Sequence, residues 1–390
     1  MTFPDFTPAS LRAPAKLLLP LCLLVLGAAC SDPLGSGGGA LEVLWRTPLE
    51  KTFQRSGENP TTDGERLYTV AGGMVTFDAR TGAMLWKSPV SMYLPINVVK
   101  YGDRVFAAEE VAFAWDAASG RELWRFTPVS DAALGESTVD AHAFYFGTSS
   151  YTSGGQHKGK VMIYALDRQN GSPLWSTDVG AGWPYPGLTD GITVSGDTVY
   201  AAGQQFSAAN GYISTGWIVA LDRATGRELW RYRNGTGTDR RTISSAPTVA
   251  GRLLLPSDHM GSAFFAVDRF TGKEVWRVTG PLQYFGPNQA PVVIGDVAYV
   301  ASNDTYVYAV DVATGAIRWK TRTGFANSAF AVCRNQIFVN YAGLAVIDRH
   351  SGKLLYKKFD EEDFLTSGFA VHEDRVFVLG NRAAYAYRCS

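Results

Sequence analysis

One phrase recurs seven times along this chain, in its fullest form Ala220-Leu221-Asp222-Arg223-Ala224-Thr225-Gly226-Arg227-Glu228-Leu229-Trp230. An Asp is followed four residues later by Gly and eight later by an aromatic. The series is Asp78/Gly82/Trp86, Asp116/Gly120/Trp124, Asp167/Gly171/Trp175, Asp222/Gly226/Trp230, Asp268/Gly272/Trp276, Asp311/Gly315/Trp319 and Asp348/Gly352/Tyr356. Successive copies lie 37 to 55 residues apart. A period of that size restricts the chain to repeat architectures, in which each unit buries its apolar face against the next.

The residues before each Asp are apolar and β-prone, as in Val161-Met162-Ile163-Tyr164-Ala165-Leu166, and predict a strand. Asp-x-x-Thr-Gly predicts a tight turn, with the carboxylate accepting turn N–H groups and the Gly supplying positive φ. The next strand carries the Trp. Upstream lie a further strand, such as Asp197 to Ala202, and a short apolar one, such as Ala246 to Val249. Each unit therefore has four strands, a to d. Many four-stranded units predict an all-β chain folded as a β-propeller.

An open row of blades leaves an unpaired edge, so the ring must close. The C-terminus supplies strands b and c of an eighth unit, Arg375 to Leu379 and Ala383 to Tyr387, and then stops. The N-terminus supplies an orphan strand d, Glu42 to Pro48. Joined, they make an eighth blade, so residues 42 to 390 form one eight-bladed domain. Trp45, Trp86, Trp124, Trp175, Trp230, Trp276, Trp319 and Tyr356 then share one role, packing between blades.

The phrase resembles the tryptophan-docking motif of the pyrroloquinoline-quinone (PQQ) repeat family, Ala-x-Asp-x-x-Thr-Gly-x-x-x-Trp. It matches fully at Ala220 to Trp230, Ala266 to Trp276 and Ala309 to Trp319, while Ser119 and Asn170 replace the Thr in two copies. Thr76 and Val346 replace the Ala in the first and seventh copies. The resemblance implies the fold. Function lives in sites grafted on it, because propellers of this plan serve both quinoprotein dehydrogenases and non-catalytic lipoproteins.

Residues 1 to 29 read as an export signal. Arg12 and Lys16 precede the apolar run Leu17 to Ala29, which is too short to span a bilayer comfortably. Leu26-Gly27-Ala28-Ala29-Cys30 resembles a lipoprotein box, which implies lipidation of Cys30. Residues 30 to 41, rich in Gly and Ser, form a flexible tether. Export permits a disulfide between Cys333 and Cys389, whose turns lie on the same face of neighbouring blades. The sequence leaves open whether they come within bonding range.

Acidic and basic residues balance at 36 each, which argues against a nucleic-acid surface. The five His residues lack metal-ligand spacing, and no Gly-x-Ser-x-Gly or Cys-x-x-Cys is present. The adjacent Cys pair of quinoprotein dehydrogenases is also missing. No catalytic residue, metal or cofactor is expected.

Chain length is added on one face only, where the b–c and d–a connections lie. That face is predicted to carry Tyr151, His157, Trp183, Tyr185, Phe206, Tyr212, Arg240, Arg241, His259, Tyr284 and Phe285. Aromatic and Arg side chains of this kind suit a protein-binding surface. Trp183 and Tyr185 could equally plug the mouth of the ring. Asp258-His259 reads as part of a solvated loop, with a polar site pair as the alternative, and the run Asp360 to Asp363 reads as solvated.

A lipoprotein signal, a tether and one bare propeller resemble the BamB-type outer-membrane assembly lipoproteins. That resemblance implies an envelope scaffold, lipid-anchored at the outer membrane and facing the periplasm, with the β-barrel assembly machinery as partner. The alternatives are a propeller binding a small molecule or quinone in its funnel, and a scaffold of another envelope complex.

Overall fold

In the computed structural model, the described residues are 41–49, 59–90, 92, 97–129, 132–133, 136–149, 160–183, 187–206, 214–235, 241–256, 258, 263–279, 289–324, 329–341, 343–359, 363 and 365–390. They form eight antiparallel four-stranded blades, as the repeat predicts. Blade 1, for example, runs Thr61–Thr62, Arg66–Val70, Met74–Asp78 and Met84–Lys87 in sheet order. First strands of successive blades touch, so strand a lies innermost.

The ring closes with a strand from the opposite end of the chain. Blade 8 takes Leu365–His372, Arg375–Gly380 and Ala383–Arg388 as strands a to c. Val43–Pro48 is its strand d, with Trp45 opposite Ala386 and Thr47 opposite Ala384.

Each Asp turn is built as the phrase predicts. The Asp222 carboxylate accepts the Thr225 N–H at 2.9 Å and hydroxyl at 2.7 Å, and the Gly226 N–H closes onto the Asp222 carbonyl at 2.8 Å. Gly226 sits at φ 72°, which a side chain rarely adopts. These bonds hold Asp78, Asp116, Asp222 and Asp348 below the usual carboxylate range, chiefly through the residue three on. Asp311 is held at about 2, first by Arg318 and then by Thr314.

A carboxylate depressed in the folded state stabilises above its unfolded pKa, about 3.9, and that contribution fades as pH falls through the folded value. We expect the ring's urea midpoint to hold from neutral pH to about 4 and then fall steeply towards pH 2. Asp222→Asn and Asp311→Asn together should flatten that fall. A parent midpoint unchanged at pH 2 would contradict it.

The phrase spans one blade, but its parts meet across two. Each Trp lies on the turn Gly of the following blade and donates its indole N–H to a carbonyl there. The pairs are Trp45 to Ala79, Trp86 to Ala117, Trp124 to Arg168, Trp175 to Arg223, Trp230 to Arg269, Trp276 to Val312 and Trp319 to Arg349, at 2.9 to 3.2 Å. A Cβ on Gly82, Gly120, Gly171, Gly226, Gly272, Gly315 or Gly352 would stand within 2.8 Å of the indole or of a neighbouring Thr hydroxyl. Glycine is required there by both conformation and space. Thr47 and Thr177, two residues after their Trp, also bond the Gly carbonyl at 2.7 and 2.6 Å.

The outer strands leave edges that could recruit other chains. In three blades a Glu–Arg pair flanks the Trp, at 2.6 to 2.7 Å: Glu122–Arg125, Glu228–Arg231 and Glu274–Arg277. Such charges discourage edge-to-edge pairing. Cys333 and Cys389 are disulfide-bonded, with Cα atoms 6.0 Å apart.

Candidate binding surface

The elaborated face is built on blades 3 to 5. The hairpin of blade 4 is long, with Thr198–Phe206 paired to Ser214–Asp222 along its length. Blade 3 joins it, since Ser149 pairs with Leu188, and Ala132–Ala133 adds a short strand beside Thr148 and Ser149. Backbone bonds stitch the blades here. Glu136 N–H donates to the Asp190 carbonyl at 2.9 Å, and Ile192 N–H returns to the Glu136 carbonyl at 3.1 Å. Gly216 N–H donates to the Arg241 carbonyl of the next blade. Gly191 permits this approach, because a Cβ there would lie 2.2 Å from the Ala246 nitrogen.

Trp183 and Arg241 both converge on the blade 4 hairpin. The Trp183 ring packs 5.8 Å from Trp217 and beneath the guanidinium groups of Arg231 and Arg233, at 4.9 and 5.5 Å. Trp183 is half-buried against the outer strands of blade 4, so it does not plug the mouth. Arg241 joins the same hairpin beside Trp217, bridging Thr215 and accepting the Gly216 N–H. The side chain of Phe206 and residues Tyr151, His157, Tyr185, Tyr212, Arg240, His259, Tyr284 and Phe285 lie outside the described residues.

Beside this hairpin is a polar network that the spacing does not reveal. Arg277 bonds Glu274, Asn234 and the Tyr232 hydroxyl at 2.7, 2.9 and 2.9 Å, and lies 4.3 Å from the Phe265 ring. Asn234 in turn donates to Asp258 at 2.9 Å. Asp258 is fully buried, which corrects the expectation of a solvated loop. A buried carboxylate must be paired, and here the network pairs it. Asp363 is also buried rather than solvated, held by Arg46, the Arg382 N–H and the Tyr385 hydroxyl. Asp360 to Glu362 lie outside the described residues.

The axis is occupied by the protein's own side chains. Glu136 accepts from Asn59 of blade 1 at 3.0 Å and from the Ala246 N–H of blade 5 at 3.2 Å. Those blades are opposite one another, so Glu136 lies on or near the axis. Gln289 of blade 6 reaches Asn59 at 3.5 Å, and Gln204 bonds Asp190 at 3.1 Å. Burial pushes the Glu136 carboxyl up. Burial, with the charge of Glu136 adding, pushes Asp190 well up. Both residues are half-buried. The groups described at the axis are carboxyls and amides, a poor match for a polycarboxylated quinone. Among the described residues, no group of three His, Cys, Asp or Glu could hold a metal ion.

Indole-on-glycine docking at seven seams of an eight-bladed ring defines a PQQ-like repeat propeller. The chain belongs to the family described as outer membrane protein assembly factor BamB, whose model matches residues 41–205 and 157–336. It is 25% identical over 252 residues to the assembly factor BamB of Yersinia pestis, covering 61% of this chain and 59% of that protein. Enzymes share the likeness. Tetrathionate hydrolase of Acidithiobacillus ferrooxidans is 23% identical over 72% of this chain and 55% of that protein. The quinohemoprotein alcohol dehydrogenase ADH-IIG of Pseudomonas putida is 30% identical over 31% of this chain and 17% of that protein. The crystal structure of BamB from Moraxella catarrhalis superposes with a TM-score of 0.66 at 17% identity, covering 90% of this chain and 98% of that one. The chain thus matches less than two thirds of the length of these curated relatives.

Proposed function

We propose that this protein is a non-catalytic envelope scaffold that binds a protein partner of the outer-membrane β-barrel assembly machinery. In this reading it is held to the outer membrane by lipid on Cys30 and faces the periplasm. The observation that carries the reading is the stitched face of blades 3 to 5. The strands there are bonded across blades, which gives the face a rigid base. Family membership supports the choice of partner.

Affinity capture from solubilised membranes tests it. Trp183→Ala removes the ring that Arg231 and Arg233 cover, and Arg240→Glu reverses charge in the connection that the sequence assigns to this face. Together they should weaken capture about tenfold or more, with the ring still folded at the temperature of capture. Unchanged capture would move the interface elsewhere.

The second reading is a ligand in the axial funnel, favoured by the enzyme relatives. It would be recognised by a quinone absorbance or tightly held cation in the purified protein.

A further inference from the structure

Seven seams of the ring carry an indole dock, and the seam between blades 7 and 8 carries none. Tyr356 stands where the Trp would be, opposite Val346 just as Trp319 stands opposite Ala309. The carbonyl that accepts an indole N–H lies three residues beyond that opposite position, as Val312 lies beyond Ala309. In blade 8 the opposite residue is Ala386, so the acceptor position is Cys389. Lys358 stands where Thr47, Thr177 and Thr321 bond the turn Gly carbonyl at three other seams. A groove of about 330 Å³, lined in part by Leu41, Val43, Leu344, Tyr356 and Tyr387, runs along this seam.

We propose that the Cys333–Cys389 bond takes the place of the eighth dock, and that closure of the ring at this seam is conditional on an oxidising compartment. The bond runs from the a–b turn of blade 7 to the dock-acceptor position of blade 8. Its loop of 56 residues encloses the last three strands of blade 7 and the first three of blade 8. Both sulfurs are almost wholly buried, so the clasp persists until the seam opens locally. A dithiol reductant then attacks one sulfur and is released as its own disulfide. Cys333 and Cys389 each gain one electron and one proton. The product has two free thiols and a seam held by side-chain packing and by hydrogen bonds such as Asn340 to the Ser367 carbonyl and the Ser390 N–H to Gln336.

Native-state hydrogen exchange on the full chain, oxidised and in a phosphine or dithiol reductant, tests this. Reduction, confirmed by the mass of two alkylated thiols, should speed exchange first in Leu365–His372, Arg375–Gly380, Ala383–Arg388 and Val43–Pro48. The unfolded fraction should rise roughly a thousandfold, as expected for release of a loop this long. Cys333→Ala with Cys389→Ala should reproduce the reduced pattern without reductant. If that variant does not fold, reduced parent protein gives the same measurement. Exchange that speeds equally in all blades, or a reduced protein as protected in blade 8 as the oxidised one, would overturn the proposal.

Discussion

Trp124→Ala will destabilise the ring by about 3 to 5 kcal/mol, the usual cost of emptying a large aromatic site in a core. Trp124 is only 7% exposed and contacts Phe106 and Phe144, with centroids at 5.9 and 6.3 Å. Its loss also leaves the Arg168 carbonyl without the indole N–H that reaches it at 3.1 Å. The other half of the dock should be equally intolerant. Gly171 sits at φ 74°, and a Cβ there would stand 2.7 Å from the Trp124 ring. Gly171→Val should therefore cost several kcal/mol through overpacking and backbone strain together. The two changes disrupt one contact, so the double variant should lose clearly less than the sum. Urea unfolding of the three variants gives that cycle. Additive losses would show that ring and glycine act separately.

Residues that repeat made the fold legible. Asp222, Gly226 and Trp230 sit at fixed spacing, so strand order, turn chemistry and ring closure by Val43–Pro48 all follow from the sequence. The spacing does not show that Trp175, not Trp230, rests on Gly226, because the phrase lies within one blade and the contact joins two. Asp258 and Asp363 read as solvated because charge favours water. Their partners make burial tolerable and lie far off, Asn234 at 24 residues and Arg46 at 317.

The axial groups did leave a trace. The residue just before the core of each first strand is Asn59, Asn97, Glu136, Gly191, Ala246, Ala290, Ala329 and Gly368 in blades 1 to 8. Three large polar residues face five small ones across the ring, and Asn59 lies so close to Gly368 that a Cβ there would meet its Oδ1 at 1.8 Å. Superposing the repeats on one another, rather than searching for motifs, exposes that asymmetry. Candidate face residues such as Tyr151 and Tyr284 have no equivalent in neighbouring blades, so periodicity says nothing about where their side chains go.

Removing residues 42 to 48 should cost more than any single substitution. The segment supplies the whole outer strand of blade 8, pairing from Val43 opposite Tyr387 to Pro48 opposite Ala383. It also supplies the dock to blade 1, with the Trp45 N–H on the Ala79 carbonyl at 3.0 Å and the Thr47 hydroxyl on Gly82 at 2.7 Å. Arg46 additionally holds the buried Asp363 at 3.3 Å. Trp45 alone, 9% exposed, is worth about 3 to 5 kcal/mol by its burial. Adding the lost pairing and the lost Arg46–Asp363 contact brings the total to about 5 kcal/mol or more, a large part of the 5 to 15 that holds an ordinary domain together. The disulfide would still clasp blade 8 to blade 7, so the damage should appear at the seam with blade 1. The bared edge of Ala383–Arg388 should then recruit other copies, seen as concentration-dependent oligomers in light scattering. A peptide spanning Glu42 to Leu49 should compete for that edge by strand addition and restore the monomer. A truncated chain that stays monomeric and melts within about 1 kcal/mol of the parent would mean that the ring does not depend on its first strand.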